Sequence, residues 1–359
     1  MAELILKLES DVVELTREIC DIESVSGNEK ALADAIETAL RAYSHLEVIR
    51  DADAIIAKTN LGCATRVVIA GHIDTVPVAD NLPIQLLSME REQVLWGRGT
   101  VDMKAGVAVQ LKLAAELATS NVDITWIFYD HEEVDASLNG LGRISRNRPE
   151  LLEASFAVLC EPTGGMVEGG CNGTMRAEVR LSGVKAHSAR PWMGKNAIHA
   201  AAEVLQRLND YQPAEIDVDG LSYRESLNAV LISGGIATNV IPDETVITIN
   251  YRYAPDKDHV VAEAHLRQLF AGFDLTVVDF ADGARPGLNL PAAMAFIEAT
   301  NTTPRPKYGW TDVARFSALG IPAVNFGPGD PSKAHADDEN VPVSQIYFCE
   351  SALRKWLTA

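Results

Sequence analysis

The run Ile124-Thr125-Trp126-Ile127-Phe128-Tyr129-Asp130-His131-Glu132-Glu133 decides the fold. Six residues that favour extended chain, unbroken by charge, read as a strand buried within a sheet. The acids stand at its carboxyl end. Side chains alternate along extended chain, so Glu132 and Glu133 are expected on opposite sides of the backbone. One can then bind a metal while the other carries a proton. His131 reads as an exposed loop residue without an assigned role.

Three other runs close in the same manner. Val67-Val68-Ile69-Ala70-Gly71-His72-Ile73-Asp74 reads as a buried parallel strand ending in His-x-Asp. The period of two places His72 and Asp74 on one face, where the Asp74 carboxylate can orient the imidazole. Phe156-Ala157-Val158-Leu159-Cys160-Glu161-Pro162 ends in an acid, and its proline blocks further pairing. Ile321-Pro322-Ala323-Val324-Asn325-Phe326-Gly327-Pro328-Gly329 leads into a loop carrying His335. In an open α/β sheet, ligands bind in the crevice at the carboxyl ends of the strands. All four runs deliver their polar residues there.

The stretch Trp96-Gly97-Arg98-Gly99-Thr100-Val101-Asp102-Met103-Lys104-Ala105-Gly106 precedes an apolar helix expected over 105–118. Asp102 lies just ahead of that helix, where an isolated Asp would be a cap. In company with His72, Glu132, Glu133, Glu161 and His335 it joins a donor set of two imidazoles and several carboxylates. Zinc accepts such donors, and a catalytic zinc keeps a position for water. The set exceeds one open tetrahedral site and suits two ions sharing a carboxylate, for which Asp102 is the natural bridge. Two histidines favour zinc, cobalt or manganese over magnesium.

Beyond residue 173 the pattern changes. Strand 175–182, helix 197–208, strands 229–233 and 245–253, helix 260–270 and strand 275–280 give the βαββαβ order of a ferredoxin-like sandwich. Ala281-Asp282-Gly283-Ala284-Arg285-Pro286-Gly287 then reads as a return linker. The expected organisation is a catalytic domain, 1–173 and 288–359, interrupted by an inserted domain, 174–287.

Composition narrows the function. At 359 residues and 47% hydrophobic content the chain has material for a large core, while a formal net charge of −19 opposes nucleic-acid binding. No apolar run is long enough to span a membrane. Residues 1–11 carry an amphipathic helical pattern rather than a secretory signal. Cys20, Cys63, Cys160, Cys171 and Cys349 are odd in number and lack CxxC spacing, which points to reduced thiols and a cytoplasmic location. A dinucleotide fold would need a third glycine where Asp102 stands, and no Gly-x-Ser-x-Gly marks a serine hydrolase.

Taken in order, His72-x-Asp74, Gly99-Thr100-x-Asp102-Met103-Lys104-x-Gly106, Glu132-Glu133, Glu161-Pro162 and His335-Ala336 resemble the co-catalytic zinc aminoacylase and carboxypeptidase family over nearly the whole chain. The resemblance implies a zinc-peptidase-like α/β catalytic domain, a mixed sheet flanked by helices, with an inserted ferredoxin-like α+β lid and dimerisation domain. It implies two Zn2+ per chain, replaceable by Co2+ or Mn2+. His72, Asp102 and Glu161 would hold one ion, and Asp102, Glu133 and His335 the other. Glu132 would be the general base, with Asp74 supporting His72. His187, in Gly183-Val184-Lys185-Ala186-His187-Ser188, would stabilise the oxyanion, often in the partner subunit's site. Asn239 and Arg252 would contact a substrate carboxylate, and Thr311 and Gly327 would line substrate loops. The implied reaction is hydrolysis of a small N-acyl amino acid by a homodimer, without nucleic-acid or membrane partners. Residues 130–135 and 160–174 most resemble the branch that removes a succinyl group, with deacetylases and dipeptidases as alternatives.

Overall fold

The computed structural model describes residues 5–89 and 92–358, which form two compact units. The first draws on Met1–Gly169, Gly287–Arg305 and Arg315–Ala359, and the second on Gly170–Pro286 and Pro306–Ala314. The short segment Pro306–Ala314 thus returns to the second unit after the chain has left it.

In the first unit the main sheet runs in the order Glu47–Asp51, Ala54–Lys58, Asp123–Tyr129, Arg66–His72, Phe156–Leu159, Ala323–Asn325, Glu168–Gly169. The four strands from Asp123–Tyr129 to Ala323–Asn325 are parallel and those outside them antiparallel, so the sheet is mixed. Register aligns their ends: His72 lies opposite Tyr129, Ala70 opposite Leu159, and Leu159 opposite Asn325. The residues that follow each strand therefore leave from one edge. Asp123–Tyr129 and Phe156–Leu159 are buried throughout, and each large apolar side chain so buried contributes about 1.5–3 kcal/mol. Helix Lys104–Glu116, expected over 105–118, has eleven buried residues among thirteen. Such an all-round apolar helix belongs inside a protein. It packs against the Arg66–His72 strand and helices Val12–Asp21, Lys30–Leu40 and Val343–Thr358. A small sheet joins Gln85–Met89, Glu92–Trp96 and Asn340–Pro342, with Trp96 opposite Asn340.

The second unit is built on an antiparallel sheet in the order Ser226–Gly234, Glu244–Tyr253, Gly173–Ser182, Asp274–Ala281. Helices Ala197–Asp210 and His259–Leu269 cover it through Ala201, Val204, Ala262 and Leu266, which pack on Val179, Ile247, Ile249 and Tyr251. This is the βαββαβ sandwich. The unit also holds a hairpin absent from the expected pattern, Glu215–Val218 with Leu221–Arg224, whose turn at Asp219-Gly220 has positive φ at both positions.

Two expectations need correction. The amphipathic pattern of residues 1–11 forms no helix over its described part, and residues 1–4 lie outside the described residues. Leu6 and Leu8 are both buried, a spacing of two rather than of a helical turn. The helix starts at Val12, because the Asp11 carboxylate accepts the Val13 amide at 2.9 Å and caps it. The extended chain also stops at Tyr129, short of the acidic pair. His131 adopts a positive φ of 56° and turns the chain before Glu132. No helix among the described residues is long and apolar enough to cross a membrane.

Candidate metal centre

At the carboxyl edge of the parallel strands, three donor groups converge: His72, Asp102 and Glu161; Asp102, Glu133 and His335; and His72, Glu132 and Glu133. Within each, the donor atoms lie within 4.8 Å of one another. Strand alternation is not what places Glu132 and Glu133; the turn at His131 brings both to the same centre. Asp102 divides its two oxygens. Oδ1 faces His72 Nε2 at 3.0 Å and Oδ2 faces His335 Nε2 at 3.4 Å. His335 Nε2 also lies 2.9 Å from Glu133 Oε2. Two ligands of one zinc-type ion, each about 2 Å from it, sit about 3 Å apart, so these donors have the spacing and chemistry that a metal of this kind would take.

Electrostatics point the same way. Burial opposes a charged His72, yet Asp102 and Asp74 outweigh it and raise its pKa well above the ordinary value. Asp102 and Glu133 push His335 up to about 10. Burial would raise Asp102, but His335 and His72 hold it far below the carboxylate range. This is a field that calls for positive charge.

His72 Nδ1 donates to the main-chain oxygen of Asp74 at 3.0 Å. A carbonyl can only accept, so Nδ1 carries a proton, and Nε2, which faces Asp102, is the nitrogen a metal would take by displacing the proton there. Asp74 thus meets His72 twice, through its carbonyl and through its carboxylate Oδ1, which lies 3.5 Å from the same Nδ1. Its carboxylate accepts the amides of Glu132 and Glu133, both at 3.0 Å, and the Ser26 hydroxyl at 2.6 Å. Glu29, 1% exposed, accepts the His131 amide at 3.1 Å and the Gly27 amide at 2.9 Å. His131 is not the exposed loop residue expected: its ring is partly buried and Nδ1 lies 2.8 Å from Asp130 Oδ2. Two glycines let the chain crowd Glu161. A Cβ on Gly106 would stand 2.3 Å from the Cys160 oxygen, and one on Gly327 would stand 2.3 Å from that oxygen and 2.6 Å from the Glu161 oxygen.

Sequence reasoning missed Ser26, Glu29 and Glu339. Ser24-Val25-Ser26-Gly27-Asn28-Glu29 offered a turn signal at Gly27, where φ is +91°. Glu339 looked like part of a solvated acidic run and gave no signal.

The remaining predicted residues, Gly327 apart, belong to the second unit. His187 lies on the two-residue strand Ala186–His187, paired with Val240–Ile241, and the Ser188 amide donates to the Asn239 oxygen. His187 and Asn239 are thereby brought together. Arg252 lies on Glu244–Tyr253 and lines a cavity of about 350 Å³ with Asn172, Arg224 and Tyr308. Its Nε donates to Asn250 Oδ1 at 3.1 Å. Thr311 is buried.

The model of peptidase family M20/M25/M40 matches residues 68–359. A putative succinyl-diaminopimelate desuccinylase of Mycobacterium tuberculosis is 51% identical over 98% of this chain and 99% of its own. A succinyl-diaminopimelate desuccinylase of Corynebacterium glutamicum is 47% identical over 98% of each chain. Among solved structures, a Staphylococcus aureus tripeptidase superposes with a TM-score of 0.78 at 21% identity over 98% of both chains. At that identity the likeness concerns the fold alone.

Proposed function

The chain belongs to peptidase family M20/M25/M40, and from that premise we propose that it is a metal-dependent amidohydrolase that removes succinate from N-succinyl-LL-2,6-diaminopimelate, leaving LL-2,6-diaminopimelate. The observation that carries the metal chemistry is the division of Asp102 between His72 and His335. The substrate rests on the two full-length relatives named for that reaction.

His72, Asp102 and Glu161 would hold one zinc and Asp102, Glu133 and His335 the other, with cobalt or manganese as substitutes. When bound, such ions polarise an amide carbonyl and make water more acidic. Glu132 takes the proton of the attacking water and hands it to the leaving nitrogen. The water oxygen bonds to the acyl carbon as the C–N bond breaks, giving a carboxylate and a free amine. His187 donates to the carbonyl oxygen as charge builds there. Arg252 and Asn239 bind substrate carboxylates, and Arg252 is suited to this because it forms no ion pair among the described residues. Thr311 and Gly327 line the substrate loops.

The inserted unit, in this reading, is a lid that also pairs two chains. Ser226–Gly234 is an edge strand whose Val230, Leu231 and Ile232 are 53%, 69% and 55% exposed, and an apolar open edge is a template for a second strand. All five cysteines are free, in keeping with a cytoplasmic enzyme.

Parallel kinetics on N-succinyl-LL-diaminopimelate and N-acetylornithine test the substrate. The succinyl compound should have the higher kcat/KM by roughly 100-fold, because a site built for its carboxylate leaves donors unpaired with the acetyl compound. Preference for the acetyl compound, or for a dipeptide, would overturn the assignment and keep the metal chemistry.

A further inference from the structure

Glu339 follows His335 by four residues, in the run Ala336-Asp337-Asp338-Glu339, yet it is 1% exposed. Its carboxylate takes four donors. Oε2 accepts Arg98 Nη1 at 2.9 Å and the Gly99 amide at 3.0 Å, and Oε1 accepts the Val101 amide at 2.8 Å and the Asp102 amide at 3.1 Å. Its main-chain oxygen accepts the Gly97 amide at 2.9 Å. The Arg98 amide goes to Asn81 and the Thr100 amide to Gly97. Every amide from 97 to 102 is thus accounted for, four of them by Glu339 alone.

We propose that Glu339 is a positioning residue for the metal centre, holding the Asp102 loop at a fixed distance from the segment that carries His335. The proposal rests on the two-metal reading above. Asp102 has the least tolerance of the ligands, since it must aim one oxygen at each histidine, and a rotation of its backbone disturbs both. A single buried carboxylate grips its amide and belongs to the His335 segment, so the two ligands move as one body.

The chemistry of the carboxylate makes a specific prediction for Glu339→Gln. A glutamine offers one oxygen, and the pull of Arg98 keeps that oxygen with Arg98 and Gly99. The NH2 then meets the amides of Val101 and Asp102, which are donors and cannot pair with it. The Asp102 side of the loop is the side released.

Metal-free protein titrated with cobalt(II), followed by visible absorption and by chelator competition, tests this. The unaltered protein should take up two ions. Glu339→Gln should bind cobalt about 10–100-fold more weakly, as loss of a ligand-orienting partner does, with an altered cobalt band. Asp123→Asn is the control for burial alone. Asp123 is a buried carboxylate accepting the Leu61 and Cys63 amides at the start of Asp123–Tyr129, the end away from the centre. It should lower the unfolding temperature and leave cobalt affinity and spectrum unchanged. Should Glu339→Gln fail to fold, Glu339→Asp, too short to span both donor pairs, should show a smaller weakening in the same sense. Wild-type affinity and spectrum in the Glu339 variants, or equal weakening by Asp123→Asn, would overturn the proposal. Failure of the unaltered protein to bind cobalt would instead remove the two-metal reading, and the proposal with it.

Discussion

Asp74 holds Glu132 by its main chain: one carboxylate oxygen accepts the Glu132 amide and the other the Glu133 amide, both at 3.0 Å. Glu132 and Glu133 are therefore fixed from the segment that follows the Arg66–His72 strand, and Ser26 fixes Asp74 in turn. Asp74→Asn replaces one acceptor with an NH2 group, which leaves one of the two amides without a partner. Turnover should fall about 10–100-fold with little change in KM. Steady-state kinetics on folded variant would show this, and an unaltered kcat would contradict it.

The proposed metal ligands can be separated by stoichiometry. Asp102→Ala should lose both zinc ions and Glu161→Ala only one, because Asp102 faces both histidines whereas the group that contains Glu161, with His72 and Asp102, has only one of them. Elemental analysis after dialysis reads the ratio. A full complement of zinc in Asp102→Ala would refute the shared carboxylate.

Glu132→Gln should keep its zinc and lose about 10²–10⁴-fold in kcat, the usual contribution of a general base. Glu133→Gln should lose zinc affinity first. Reversed behaviour of the two variants would exchange their roles.

Removing His187 should cost about 10²–10³-fold in rate if it is an oxyanion donor. Where it serves the partner's site, mixing inactive His187→Ala and Glu132→Gln chains should restore part of the activity. A fully active monomer on a sizing column would exclude the arrangement.

Acid stability carries a further prediction. Burial would raise Asp123, but the amides of Leu61 and Cys63 together with Arg66 hold its pKa below the ordinary value. A depressed folded pKa adds stability above the unfolded value of about 3.9, and that stability is lost as pH falls through the folded value. The gap in unfolding temperature between the wild type and Asp123→Asn should be full at neutral pH and shrink below about pH 4. A gap independent of pH would mean that the charge contributes nothing.

The parallel strands were legible because their apolar runs are unbroken and each ends at a polar residue, so burial and edge could be read together. His72, Asp102, Glu133 and Glu161 came with them, since each lies near such an end or beside glycines, and His335 came from the loop that follows the last of these strands. Glu29 and Glu339 were not legible. Their partners lie 102 and 240 residues away in the cases of His131 and Gly99, and an acid that will be buried against amides looks in sequence like one left in water. The turn at His131 was hidden for a related reason: positive φ in a non-glycine residue is imposed by its surroundings, here Glu29 on its amide and Asp130 on its ring.

Residues 157–159 pair with 323–325, and Glu133 meets His335 across a separation of 202 residues. Closing so long a loop is slow and costs chain entropy. During synthesis the strands up to Phe156–Leu159 emerge early, while the strand that covers their open side and the second histidine arrive only after the whole inserted unit has been made. The hydrolytic centre is then one of the last features a growing chain acquires, and a chain released early carries its acids without the partner that would let them act.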